Sequence, residues 1–252
     1  PWSDTTVVYG PIWTLICKII AGMSFGNIDI GILLFKILGG LAHILNCCII
    51  YKLTKKKIFV LLYGLNPFIL LEGIANVHND MYIITFVLAS IYFLIKKKNI
   101  LASITFLALA TAIKYFTILL LPFIIIYHFR DKKTLERFKN CIIYGIIFIL
   151  IMIIPYLLYI QDWTVLMGIF TQQEKFAKNF YIILMKYFPT IPNLVTTVNK
   201  TLLGGFIIIY LFTCITLISK RQIKFGKEIR KCEYFLIAFL FLLITNFQKI
   251  GR

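Results

Sequence analysis

Between two apolar stretches the chain sets Asn76, Val77, His78, Asn79 and Asp80 in succession, placing an acid, an imidazole and two carboxamides within five residues. Asp80 can orient or deprotonate a hydroxyl, and His78 can support a phosphate or share the proton. The same residue types also make a hydrated loop in which Asn79 and Asp80 cap the next helix, so the turn taken alone leaves both readings open.

Lys114 is the second candidate. The segment from Asn99 to Phe129 would measure about 46 Å as one helix, too long for a single membrane span and too short for two full ones. Basic residues, Lys98 and Arg130, stand at both of its ends. Both ends therefore belong on one side of a bilayer, and the segment is expected to be a hairpin of two short helices with Lys114 and Tyr115 at an apex below the opposite surface. A submerged ammonium lines a cavity or meets an anion, for which a phosphate is a natural partner; a lysine snorkelling from a helix end is the alternative.

Further polar residues interrupt apolar runs. Lys36, Gly39, Gly40 and His43 fall at helical spacing on one side of a helix, a face expected to look into a bundle, for substrate or for interhelical pairing with a group such as Glu72. Glu72 follows an Asn66-Pro67 interruption where a kink is expected, as a cavity wall or an interfacial acid. Near the start, Ser3-Asp4 and Tyr9-Gly10-Pro11-Ile12-Trp13 precede a short apolar piece containing Lys18, which turn residues and interfacial aromatics suffice to explain.

The elements that hold these residues follow from composition. Of the 252 residues 60% are hydrophobic and 15% charged, and mean hydropathy is +0.90, which excludes a soluble Rossmann or barrel domain and makes the bilayer the solvent. Apolar runs near Asp29–Tyr51, Ile58–Ala75, Met81–Ile95, Ile100–Ile113, Tyr115–Phe129, Cys141–Ile160, Leu202–Ser219 and Tyr234–Thr245 predict an all-α, polytopic bundle of about eight spans.

Charge parity supports that segmentation. Four alternate loops, around Lys52–Lys57, Lys96–Lys98, Arg130–Lys139 and Lys220–Lys231, hold 18 of the 27 Lys and Arg residues, as expected for cytoplasmic loops. The net charge of +17 therefore reflects topology and anionic lipid, with no nucleic-acid partner implied. The expected organisation is one transmembrane domain: residues 1–28 as an outer or interfacial segment, 29–160 as six spans, 161–200 as a long outer loop, and 201–252 as two spans. Cys17, Cys47, Cys48, Cys141, Cys214 and Cys232 lack CxxC spacing and read as small packing residues, and no compelling metal-ligand cluster is present. The chain opens at Pro1 without an initiator Met and reads as a fragment.

Taken in order, Tyr9-Gly10-Pro11, Leu65-Asn66-Pro67 with Glu72, His78-Asn79-Asp80, Lys114-Tyr115 and Pro122 resemble the integral-membrane glycosyltransferases of the GT-C fold, most closely the bacterial polyprenol-phosphate-mannose-dependent mannosyltransferases. The resemblance is best from Tyr9 to about Lys133. It implies a GT-C-like enzyme of the bacterial plasma membrane that moves a hexose, mannose for this branch, from a polyprenyl-phosphate donor to a lipid-linked or cell-envelope glycan at the extracytoplasmic face. It also implies an essential acid in a first outer loop that would lie upstream of Pro1. On this reading Asp80 is the catalytic candidate, and His78, Asn79, Lys114, Tyr115, Glu72 and Tyr9 are substrate-binding candidates. A divalent cation shared between Asp80 and the upstream acid is compatible with it. A secondary transporter or lipid flippase and an envelope glycan polymerase or ligase are the alternatives. The first would show repeated halves and midplane charges; the second would concentrate arginines in the outer loop, where residues 161–200 have none.

Overall fold

The computed structural model describes residues 9–157 and 204–215. The expected outer loop at 161–200, the span near Tyr234–Thr245 and Ser3-Asp4 lie outside the described residues. The described chain is helical, with no strand among the described residues. Its elements are α1 (Pro11–Met23), α2 (Ile28–Thr54), α3 (Lys57–Gly64), α4 (Pro67–Ala75), α5 (Asp80–Ile95), α6 (Ile100–Thr111), a 3₁₀ segment (Tyr115–Leu120), α7 (Leu121–His128), α8 (Thr134–Leu157) and α9 (Gly204–Ile215).

Two of these helices, α2 and α8, are long and apolar enough to cross a membrane, and a third span is made if α3 and α4 are taken together across their 50° bend. The bend sits where sequence places it. The α3 helix ends at Gly64, the Asn66 side chain accepts from the Phe68 amide at 3.0 Å, and Pro67 starts the new helix at its first position. From Leu70 the turn widens to a π-helix that ends at Ala75.

The chain divides into two compact units. One comprises Tyr9–Asp131 with Lys139–Ile160; the other, within the described residues, comprises Lys132–Phe138 and residues 204–215. In the second unit Lys132 pairs with Glu136 at 3.2 Å, and Phe206 stacks on Tyr210.

In the first unit α5 and α6 form the centre. Ile104, Leu107, Ala110, Ala112 and Ile113 are wholly buried, and Ser90 and Ser103 join across the two helices at 3.0 Å. A hydroxyl pair of this kind ties helices that share an apolar environment. The expected hairpin is present: α6 leads to a tight turn at Ala112–Lys114, and the 3₁₀ segment and α7 return from it, with the Thr111 and Thr117 hydroxyls 2.8 Å apart at its neck.

Helix α2 packs through Gly39, Ala42, Asn46 and Ile49, a seam at spacings of three and four residues. Its Asn46 Nδ2 donates to the Tyr63 hydroxyl at 2.8 Å. Gly39 lies so close to α4 that a Cβ there would sit 3.0 Å from the Gly73 carbonyl oxygen. Of the expected face, Gly39 is at the centre of this seam, but Lys36 is exposed and Gly40 faces open space, so Lys36, Gly40 and His43 form the rim of the contact, which corrects the expectation for them. His43 meets the Gly64 carbonyl at 3.2 Å and stacks on Tyr63, with no bond to Glu72. An almost uniformly apolar helix carries little rotational information, and a shift of one position turns it by about 100°.

The lysine-rich turns gather at one end of this unit. Lys52, at the end of α2, stands 6.0 Å from the ring of Tyr92 near the end of α5, so the α2–α3 and α5–α6 turns are neighbours. The turns at Asn76–Asn79 and Ala112–Lys114 lie at the other ends of the same helices.

Candidate functional site

Asp80 opens α5, and Lys114 stands just past α6, 34 residues later. Because α5 and α6 are antiparallel neighbours, these positions meet. Lys114 Nζ donates to Asp80 Oδ1 at 2.8 Å, with the side chains 24% and 30% exposed. The other carboxylate oxygen, Oδ2, lies 3.2 Å from His78 Nδ1. A partly buried carboxylate thus bridges an ammonium and an imidazole. The Asp80 amide also donates toward His78 Nδ1, at 3.4 Å. The two contacts ask opposite roles of Nδ1, and the shorter one, to a charged oxygen, favours a proton on Nδ1 directed at Asp80 Oδ2.

The backbone around His78 is unusual. The Asn76 amide closes on Leu71, and the His78 amide closes on the Glu72 carbonyl at 2.9 Å, so the π-helix sets the register of the turn. Val77 takes φ of 52°, a left-handed conformation that is strained for a β-branched residue. Asn79 stands at the N-cap of α5 yet makes no side-chain cap; it is 4% exposed, and both atoms of its carboxamide are buried without a partner among the described residues. The capping alternative for Asn79 is therefore not what its side chain does.

Lys114 is held by a strap. The amides of Gly10 and Ile12 donate to the carbonyls of Ile113 and Ala112, each at 3.1 Å. A Cβ on Gly10 would collide with the Ala112 carbonyl oxygen and stand 2.6 Å from its carbon, so only glycine permits this approach. Pro11 then begins α1 and turns Trp13 against Tyr82 of α5, with centroids 5.4 Å apart, and against Phe35 of α2 at 5.8 Å. The strap, the hairpin apex and the first turn of α5 thus form one packed cluster. Lys114 also lies 6.0 Å from the ring of Phe116.

The other candidates divide. Tyr9 is 41% exposed and its ring stands 6.4 Å from Trp13, at the rim. Tyr115 follows Lys114 into the 3₁₀ segment, and its phenol faces that of Tyr156 on α8. Glu72 is tied to the turn by its backbone carbonyl, which accepts from the His78 amide, and its carboxylate accepts from Asn76 Nδ2 at 3.3 Å. Sequence reasoning missed Gly10 as the residue that admits the strap, and Trp13 and Tyr82 as the wall beside it. A glycine flanked by aromatics and followed by proline was the available signal.

Comparison with known proteins gives the family. Residues 1–130 match the family model described as alpha-(1->6)-mannopyranosyltransferase, N-terminal domain. The chain is 26% identical over 145 residues to alpha-(1->6)-mannopyranosyltransferase A of Mycobacterium tuberculosis, a match covering 52% of this chain and 27% of that protein. With the protein of the same name from Corynebacterium glutamicum the identity is 24% over 147 residues, covering 55% and 30%. The chain thus spans less than a third of the length of the curated relatives it matches. No solved structure matches the chain. The matched segment contains the strap, the π-helical turn and the Lys114 apex together, and on that match the chain belongs to the alpha-(1->6)-mannopyranosyltransferase family.

Proposed function

We propose that this chain is part of a multi-pass, GT-C-like membrane mannosyltransferase that moves a mannosyl unit from a polyprenyl-phosphate donor to a lipid-linked or cell-envelope glycan. The transfer takes place at the extracytoplasmic face of a bacterial plasma membrane. The observation that carries the reading is the His78–Asp80–Lys114 group, at helix ends opposite the lysine-rich turns. With those turns in the cytoplasm, the 16 residues of α5 rise about 24 Å across a core of roughly 30 Å, leaving Asp80 a few ångströms below the outer surface. That depth suits a donor whose prenyl tail stays in lipid and whose phosphate must be met near the headgroups.

Transfer requires the acceptor hydroxyl to attack the anomeric carbon while the bond from that carbon to the phosphate oxygen breaks and polyprenyl phosphate departs with the electron pair. Lys114 stabilises the charge on the leaving phosphate, and Asp80 accepts one of its three N–H donors and aims it. The acceptor proton passes to the His78–Asp80 pair, and the imidazolium formed is stabilised by the carboxylate it faces. Asn79, whose carboxamide has no partner among the described residues, and Tyr9 at the rim supply hydrogen bonds and a wall for the sugar, with Glu72 fixing the turn. A divalent ion would need a carboxylate beyond Asp80.

The test is mannosyl transfer by membranes carrying the full-length protein. Asp80→Ala and Lys114→Ala are expected to lower the rate by on the order of 100-fold or more, in line with the loss of a charge-stabilising or acid–base group. Unchanged turnover in both variants removes the site assignment. Movement of the lipid across liposomes by purified protein, with no sugar transferred, would favour a flippase.

A further inference from the structure

At the lysine end of the first unit, away from the Asp80 site, α2 and α3 enclose a groove of about 440 Å³ lined by Cys47, Cys48, Tyr51, Lys57, Val60 and Leu61. Its walls are apolar and its mouth is basic. Lys52, Lys55, Lys56 and Lys57 surround the α2–α3 turn, no acidic residue occurs between Tyr51 and Leu65, and none of the four lysines pairs with a carboxylate among the described residues. The turn itself is fixed: Lys55 takes φ of 59° with its amide on the Tyr51 carbonyl, and the Thr54 hydroxyl accepts from the Lys56 amide. Of these lysines Lys57 lines the groove, and Lys55 stands 5.7 Å from the ring of Tyr51, which lines it too.

We infer that this groove is a binding site for one anionic glycerophospholipid, its acyl chain against Val60 and Leu61 and its phosphate among Lys55, Lys56 and Lys57. Charge complementarity selects the occupant: an apolar trough continuous with the hydrocarbon region, opening onto unpaired ammonium groups at the headgroup level, fits a lipid of negative charge. The site rests on the membrane reading above and is independent of sugar transfer, so its failure would leave the transferase reading standing.

The experiment uses the full chain in nanodiscs of equal phosphatidylglycerol and phosphatidylcholine, with retained lipid counted by native mass spectrometry and affinity taken from lipid titration. One phosphatidylglycerol per chain is expected. A juxtamembrane lysine contributes about fivefold in affinity, so Lys55→Gln with Lys57→Gln should weaken retention about 25-fold. Leu61→Trp, which fills the trough without touching charge, should weaken it at least tenfold. Lys96→Gln with Lys97→Gln, in the neighbouring basic turn, should leave it within twofold and guards against a general loss of charge. Equal retention of phosphatidylcholine, an equal loss in the Lys96 and Lys97 control, or indifference to Leu61→Trp would overturn the site. So would absence of retained lipid with Cys47 protected from maleimide in micelles, which would mean that protein fills the groove.

Discussion

Gly10→Ala is the sharpest perturbation of the proposed site because it touches none of the reacting groups. The added methyl would lie 2.6 Å from the Ala112 carbonyl carbon, about 1 Å inside the ordinary carbon–carbon contact of roughly 3.5–4.0 Å. The obstacle is backbone, so no rotamer change relieves it. Either the strap lifts, giving up the amide bonds to Ile113 and Ala112 at a cost of about 2 kcal/mol together, or the Ala112–Lys114 apex retreats. In both cases the Lys114 ammonium moves by about 1 Å relative to Asp80, and a misplacement of that size costs on the order of 100-fold in rate. The assay is initial-rate mannosyl transfer in membranes, normalised to protein amount, with Gly40→Ala as the control because its Cβ would meet nothing within 4 Å. A Gly10→Ala enzyme at wild-type rate, or a Gly40→Ala enzyme equally impaired, refutes the reasoning.

Other expected outcomes follow from the same contacts. Gly73→Ala meets only the mobile end of the Met81 side chain, so it should cost far less activity than Gly10→Ala, measured in the same assay. Thr117→Val removes the hydroxyl bond to Thr111 at the hairpin neck and should lower stability by about 0.6 kcal/mol, read from unfolding in detergent. Val77→Asn relieves strain at φ of 52°, since Asn tolerates that region, and should raise the thermal midpoint by an amount equivalent to about 1 kcal/mol. A single cysteine placed at Asn76 should react with an impermeant maleimide from outside the cell, and one at Lys97 should not.

The helices were legible where charge punctuated them. Lys52–Lys57, Lys96–Lys98 and Arg130 mark turns that the structure contains, and the length from Asn99 to Phe129 is enough to require the hairpin whose apex carries Lys114. The Asn66-Pro67 break likewise follows from proline's missing donor and asparagine's capping oxygen. What could not be read was rotation and pairing. Helix α2 is apolar nearly all round, so its contact seam kept Gly39 but ran on through Asn46 and left Lys36 exposed, contrary to expectation. The Asp80–Lys114 ion pair joins residues 34 apart through the antiparallel packing of α5 on α6, which no local pattern encodes. The π-helix, too, has no sequence signature, yet it sets the register that places His78 beside Asp80. Asn46, wholly buried in an apolar run, was an unused signal for an interhelical hydrogen bond.

The proposed function turns on Lys114 meeting the donor phosphate. Dissociation constants for polyprenyl phosphate and for the uncharged polyprenol should be measured on the full-length protein in nanodiscs, with wild type and Lys114→Gln side by side. At least a tenfold weaker affinity for the phosphate is expected in the variant, with binding of the alcohol unchanged. Equal affinity of both proteins for the phosphate would contradict it.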